Sequence, residues 1–287
     1  MSRIVITGTS RGIGFAAALE LARAGHHVVA TMRDPAASPE LREQATKEHL
    51  PVWIETLDVD SDESVQQAFG QILAQGPVDV LINNAGIERT GAVEETPVAD
   101  FRTCMETNFF GAVRCIQAAI RPMRERGSGT IINITSVGGR ISLSPMGPYG
   151  ASKFALEGLS EALAQEVKAF GVRVAIVEPC FIETRMTRNL AEMGRSNTYP
   201  QIRRIAAMVQ GTLMAGAGQP QIVAQKIREI VESGTCQLRH PVGLDAETFL
   251  SWRGSMSDEQ WVQWGAQGDS DWLTSLKTDF GMDLQLD

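Results

Sequence analysis

Short apolar runs rich in β-branched residues alternate with longer amphipathic stretches through the first 180 residues. Arg3–Thr7, His27–Met32, Val52–Leu57, Val78–Ile82, Thr130–Thr135 and Val172–Val177 each have the length and composition of a strand. Between them the apolar spacing is helical: Phe15 to Ala24, closed by Gly25; Ser61 to about Ala74; Pro97 to about Arg126. The stretch after Pro148 continues this with Phe154, Leu156, Leu159, Leu163 and Val167. Strands alternating with helices over this length predict an α/β fold, a doubly wound parallel sheet of Rossmann type covered on both faces. Ligands of such sheets lie at the carboxyl ends of the strands. The polar clusters fall there: Gly8–Gly14, Asp58-Val59, Asn83–Gly86, Ser136 and Glu178-Pro179.

Beyond the sixth strand the pattern loosens. The segment from Cys180 to about Gln219 is too long for an ordinary connection and predicts a substrate lid. Gln221–Val231 follows as an amphipathic helix, and Gln237–Gly243 as an edge strand. The expectation is one domain over 1–245, with the lid at about 180–219 and an extension over 246–287. From Cys236 onwards three Lys/Arg face nine Asp/Glu, and four of the five tryptophans lie there (Trp252, Trp261, Trp264 and Trp272). That many tryptophans are costly to leave solvated, so the extension is expected to pack on the domain or at an oligomer interface.

Composition narrows the partners. Of 287 residues 43% are hydrophobic and 21% charged, which suits a globular chain with a sizeable core. A net charge of −8 argues against nucleic acid and anionic membranes. No run is apolar enough to span a bilayer and no signal peptide precedes Arg3. Cys104, Cys115, Cys180 and Cys236 have no ligand spacing and read as reduced thiols of a cytoplasmic protein, with no metal site.

Two features carry chemistry. Gly8-Thr-Ser-Arg-Gly12-Ile-Gly14 joins the first strand to the first helix, placing backbone N–H groups where phosphate binds well. Its spacing, G-x-x-x-G-x-G, lacks the Gly-Lys-Ser/Thr of an ATPase loop. Tyr149 and Lys153 stand four apart on one helix face. A nearby ammonium favours the phenolate, and a phenol tuned towards neutrality can exchange a proton with an alcohol or carbonyl. Ser136, at the end of a strand, can hydrogen-bond the same oxygen.

Taken together, Thr7-Gly8-x-x-x-Gly12-x-Gly14, Asn83-Asn84-Ala85-Gly86, Asn108 in Thr107–Gly111, Ser136 and Tyr149-x-x-x-Lys153 resemble the classical short-chain dehydrogenase/reductase family over roughly 3–245. The resemblance implies that Tyr149 is the general acid in reduction and the general base in oxidation. It also implies that Lys153 holds the nicotinamide ribose, Ser136 fixes the substrate oxygen and Asn108 supports a water beside Lys153. Gly8, Ser10, Arg11, Gly12, Ile13 and Gly14 would cradle the cofactor. Asp58 and Val59 would flank its adenine, and Asn84, Ala85 and Gly86 would line its path, with Pro179, Ile182 and Thr184 near the carboxamide.

Cofactor choice turns on the end of the second strand, where a carboxylate would hold a free 2′-hydroxyl. Met32 and Arg33 stand there, and Arg11 lies in the glycine turn. Two guanidinium groups suit a 2′-phosphate, so NADP(H) is expected over NAD(H), with Asp34 the complication. One departure from the family pattern is Pro179-Cys180 where Pro-Gly is usual.

An adaptable apolar substrate site is expected from Leu143, Met146, Phe181 and Met186, with Met193, Met208 and Met214 as further candidates. Arg185, Arg188 and Arg195 are candidate contacts for an acidic substrate. The pattern suggests relatives of steroid and retinol dehydrogenases, hence reduction of a bulky ketone by a homodimer. The alternatives are an NADP(H)-sensing regulator without turnover, an NAD(H)-dependent alcohol dehydrogenase, and an isomerase, dehydratase or epimerase on the same scaffold.

Overall fold

The predicted alternation forms β1 (Arg3–Thr7), α1 (Gly12–Arg23), β2 (His27–Met32), α2 (Glu40–Lys47), β3 (Val52–Thr56), α3 (Asp62–Ala74) and β4 (Val80–Asn83). It continues with α4 (Val98–Met105), a π-helical turn (Glu106–Phe110), α5 (Gly111–Arg126), β5 (Gly129–Ile134), α6 (Gly147–Val167) and β6 (Val172–Pro179). A computed structural model of the chain describes residues 1–192, 196, 198–243 and 246–286. After β6 come α7 (Arg185–Ala191), α8 (Gln201–Met214), α9 (Pro220–Ser233), β7 (Arg239–Val242), α10 (Ala246–Gly254), α11 (Asp258–Ala266) and α12 (Asp269–Phe280). The helices expected from Pro97 to about Arg126 are α4 and α5, joined by the π turn, and α2 fills a stretch where the apolar pattern predicts nothing.

All seven strands are parallel, in the order β3-β2-β1-β4-β5-β6-β7. Order reverses between β1 and β4, and the carboxyl ends of these two strands open the crevice where such sheets bind ligands. Successive side chains on a strand face opposite ways. Ile4 and Ile6 therefore pack under α1 and α9 with Leu21, Val223 and Ile227. Val5 packs on the other face with Phe69, Ile72, Cys115 and Met123, under α3 and α5. Both faces are covered, so the strands are apolar throughout.

The segment between β6 and α9, expected to be a lid, is a closed excursion. Ile182 pairs with Gly218 at its stem, and the Glu183 N–H donates to the Gly218 carbonyl at 2.8 Å. Its helices α7 and α8 bury Leu190, Ile205, Met208 and Val209 against Trp264, Trp272 and Leu276 of the extension. Trp261 stacks on Trp264 with centroids 5.2 Å apart, and Phe249 on Phe280 at 4.4 Å. Arg204 of α8, 3% exposed, fastens the two segments. It donates to Asp269 Oδ1 at 2.8 Å and to the Gln267 carbonyl at 2.8 Å, with its guanidinium over the Trp272 ring. Thus the extension packs on this excursion, with its tryptophans turned inward.

Candidate active site

The glycine turn is held tight by its neighbours. A Cβ on Gly8 would lie 2.7 Å from Ala85 Cα, and one on Gly14 would lie 2.4 Å from both the Gly8 carbonyl and Asn84 Nδ2. Asn84 Nδ2 donates to the carbonyls of Thr7 (2.9 Å) and Gly8 (3.0 Å), while Thr7 Oγ1 accepts from the N–H groups of Asn84 and Ala85. The turn after β1 and the turn after β4 are thereby locked side by side. α1 starts with no side-chain cap and no acidic residue in its first turn, whereas α3 is capped by Ser61 and opens with Asp62 and Glu63. Uncapped N–H groups at a helix start are free to meet an anion.

A cleft of about 620 Å³ runs along the carboxyl ends of the strands. Gly8, Ser10, Arg11, Gly12 and Ile13 line it, as do Arg33, Asp58, Val59, Asn84, Ala85 and Gly86. Further along it lie Pro179, Ile182 and Thr184, then Leu143, Met146, Phe181 and Met186. Ser136, Tyr149 and Lys153 face the cleft between these groups. Gly14 is packed behind the turn and does not face it. Asp34 is directed elsewhere: its carboxylate accepts from the N–H groups of Ala36 and Ala37, closing a turn outside the cleft.

Asn108 sits in the π turn, 1% exposed, behind the cleft wall. Its Oδ1 accepts from the Ile87 N–H at 2.8 Å; its Nδ2 donates to the Ile87 carbonyl at 2.9 Å and to Ser152 Oγ at 2.8 Å. Such turns recur at functional sites, and this one aims Asn108 at the strand end beside Lys153. Lys153 Nζ donates to the Ile134 carbonyl at 2.9 Å and lies 5.7 Å from the centroid of the Tyr149 ring. Ser136 Oγ accepts from the Gly138 N–H at 3.0 Å and donates to the Pro179 carbonyl at 3.3 Å.

The electrostatics differ from the expectation that Lys153 draws the phenol towards neutrality. Burial pushes Tyr149 up to about 12, opposed by the Ser136 hydrogen bond and reinforced by the charge of Glu88. Burial also pushes Lys153 down to about 8. The protein walls alone favour the neutral forms of both groups, because desolvation is the largest influence on each.

Other expectations shift too. Met208 is buried and lines the cleft, but Met214 is 82% exposed on the outer side of the last turn of α8 and lines nothing. Six residues of helix carry a side chain well round the axis. Arg188 lines the cleft but is paired with Glu183 at 2.5 Å, and Arg185 is exposed at the rim. Met193 and Arg195 lie outside the described residues. Cys180 is 6% exposed and packs among Val137, Ile141, Ala246 and Phe249.

Residues the sequence reading missed also face the cleft: Asp60 and Thr107 near Arg33, Glu88 on the stretch after Gly86, and Phe249 from the extension. Glu88 stands two places past the Asn-Asn-Ala-Gly motif, so its position at a strand end could have flagged it. Nothing local marks Phe249.

A glycine turn at an uncapped helix start and a cleft joining buried Tyr149 and Lys153 to half-buried Ser136 define a nucleotide-dependent oxidoreductase. The family model described as short chain dehydrogenase matches residues 2–195. A 3-ketodihydrosphingosine reductase of Bacteroides thetaiotaomicron is 42% identical over 200 residues, 68% of this chain and 71% of that protein. Retinol dehydrogenase 8 of Homo sapiens is 36% identical over 255 residues, 84% of this chain and 81% of that one. The solved structure of a gluconate 5-dehydrogenase from Burkholderia cenocepacia, in complex with NADP and tartrate, superposes with a TM-score of 0.75 at 25% identity, covering 86% of this chain and 95% of that one. The chain belongs to the short-chain dehydrogenase/reductase family and is an oxidoreductase of that type.

Proposed function

We propose that the protein is an NADP(H)-dependent carbonyl reductase whose substrates are ketones, or the corresponding secondary alcohols, with a bulky apolar body. The observation that carries this reading is the convergence of Ser136, Tyr149 and Lys153 on a cleft whose far end is walled by Leu143, Met146, Phe181 and Phe249. A nicotinamide supplies or accepts the hydride. The tight Gly8–Gly14 turn, the bare start of α1, Asn84 and Gly86 fit the dinucleotide, with Lys153 placed for the ribose hydroxyls and Thr184 and Ile182 for the carboxamide. Ser136 orients the reacting oxygen. Tyr149 Oη gives that oxygen a proton in reduction and takes one in oxidation, the role for which a buried, hydrogen-bonded phenol is suited. Asn108, clamped on Ile87, holds the wall behind Lys153 in place.

NADP(H) is favoured over NAD(H) by Arg11 and Arg33, which line the mouth of the cleft while Asp34 is occupied by its own turn. Names of the relatives, one acting on a ketosphingoid and one on retinol, agree with an apolar substrate. Phe110 and Phe154, 45% and 44% exposed on neighbouring elements, support a homodimer packed through this face.

Fluorescence titration with NADPH and NADH, followed by a panel of ketones and aldehydes read at the nicotinamide absorbance, tests the proposal. Tight NADPH binding and oxidation by a bulky ketone, lost in Tyr149→Phe, are expected. Binding without turnover across the panel would favour the sensor reading, and preference for NADH would overturn the roles given to Arg11 and Arg33.

A further inference from the structure

Two chains of buried polar side chains tie α6 to the central strands. One runs from Asn83 Nδ2 to Asn133 Oδ1 (2.8 Å), from Asn133 Nδ2 to Ser160 Oγ (2.8 Å) and from Ser160 Oγ to the Leu156 carbonyl (2.6 Å), closing inside the helix. The other starts at the edge strand and ends beside the reacting residues. Arg239 of β7 donates through Nε to Glu157 Oε2 at 3.0 Å and through Nη2 to Glu161 Oε1 at 2.6 Å. Glu157, 4% exposed, accepts the Thr135 hydroxyl on its other oxygen at 2.6 Å. That hydroxyl also lies 3.1 Å from the Val177 carbonyl, but the nearer acceptor is a carboxylate and takes the stronger bond. Thr135 is buried and immediately precedes Ser136.

Tyr149, Lys153 and Glu157 follow one another at intervals of four along one face of α6. The short turn Val137–Gly139, which Ser136 opens, lies against that face: a Cβ on Gly139 would be 3.1 Å from both Glu157 Cγ and the Lys153 carbonyl. From the other side, the fully buried Glu178 pairs through Oε1 with Arg140 at 2.9 Å and with Arg239 at 3.5 Å. Its neighbour Pro179 supplies the carbonyl to which Ser136 Oγ donates. Ser136 is therefore held both through the residue before it and through its own acceptor, and Arg239 reaches the carboxylate behind each.

Buried carboxylates are costly to desolvate, and apolar contacts would join β5 to α6 at least as firmly. Hydrogen bonds add direction, since a satisfied polar network rigidifies the groups it joins. A reacting set needs that, because a misplacement of about 1 Å costs about a hundredfold in rate. We propose that Glu157, braced by Arg239, is a positioning residue that acts through Thr135 to hold Ser136 in register with Tyr149 on the reacting oxygen. This rests on the carbonyl-reductase reading.

The test measures kcat for a ketone that the wild type reduces, together with the NADPH Kd, in Thr135→Val, Thr135→Ser and Glu157→Leu. Valine keeps the branched shape of threonine without its hydroxyl, so Thr135→Val cuts the link with little disturbance and decides alone if Glu157→Leu fails to fold. In Thr135→Val and Glu157→Leu kcat is expected to fall about tenfold to a hundredfold with the NADPH Kd unchanged, and Thr135→Ser restores most of the loss. In a Ser136→Ala background the same substitutions are expected to change kcat by less than about twofold, because the residue they act through is gone. A merely structural role would lower kcat by the same factor in both backgrounds. That result, or a kcat for Thr135→Val within about twofold of the wild type, overturns the role of Glu157 and leaves the reductase reading standing. No oxidation of bound NADPH by any ketone of the panel in the wild type overturns the reductase reading and this proposal with it.

Discussion

The two ends of the cleft are built on different principles. The end proposed for the cofactor is made of backbone: turns at the ends of β1 and β4, tied together by Thr7 and Asn84, with no space for an added Cβ at Gly8 or Gly14. The end proposed for the substrate is made of side chains from segments far apart in sequence, Met146 near α6, Phe181 after β6, Met208 in α8 and Phe249 in the extension. A backbone site admits one geometry. A side-chain site can be repacked, which is where a family sharing one reaction can vary its substrates.

The comparison predicts which substitutions affect which end. At the seam between the two, Tyr149→Phe removes the proposed proton donor alone. We expect kcat to fall by about 10²–10⁴-fold with cofactor affinity retained, checked by steady-state kinetics and fluorescence titration. Gly14→Ala tests the backbone end. Its methyl would sit 2.4 Å from the Gly8 carbonyl, and forcing it in costs about 1–3 kcal/mol or more. The expected outcome is a lowered Tm together with loss of cofactor binding; a variant that binds normally would mean that the turn is softer than its contacts imply.

Arg204→Leu tests the other end. It cuts the fastening between α8 and the extension, leaving Asp269 one-third exposed and still paired with Arg203. A cost of about 1–3 kcal/mol is expected, reduced from that of a fully buried pair because water reaches Asp269. KM for ketone should rise while the cofactor Kd stays put. Equal damage to both would erase the distinction drawn between the two ends.

The smallest effect concerns Lys153 in the cofactor-free protein. Its pKa is lowered from 10.5 to about 8 on folding, so between those values the unfolded chain binds the extra proton. Stability then rises with pH through that window and is lowest, and flat, below it. Tyr149 adds nothing below about pH 10, the ordinary value from which burial raises it. Unfolding free energies extrapolated from urea titrations at pH 7.5 and 9.5 should differ by about 1–2 kcal/mol more in the wild type than in Lys153→Met. Equal pH slopes would show Lys153 fully solvated and charged in the fold.

Much of this site was legible before any coordinates. The glycine turn, Asn83–Gly86, Ser136 and the Tyr149–Lys153 pair are local patterns on elements set by periodicity, and chain order alone aligns them on one edge of a parallel sheet. The excursion after β6 was visible as a stretch too long to be a connection. Other features were not. The π turn that aims Asn108 depends on an extra residue inside a helix, and no residue type in Glu106–Phe110 announces it. Met214 and Met208 look alike in sequence, yet only one faces the cleft.

Local sequence suffices for the parallel sheet and the order of its motifs, because each follows from neighbours within a few turns of helix or a single strand. Packing at long range had to show that the acidic extension covers α7 and α8 and that Phe249 walls the cleft. It had also to show that burial sets the direction of the shifts at Tyr149 and Lys153. These depend on which distant apolar surfaces meet and on how much water they exclude, and neither quantity is written in any local stretch of the chain.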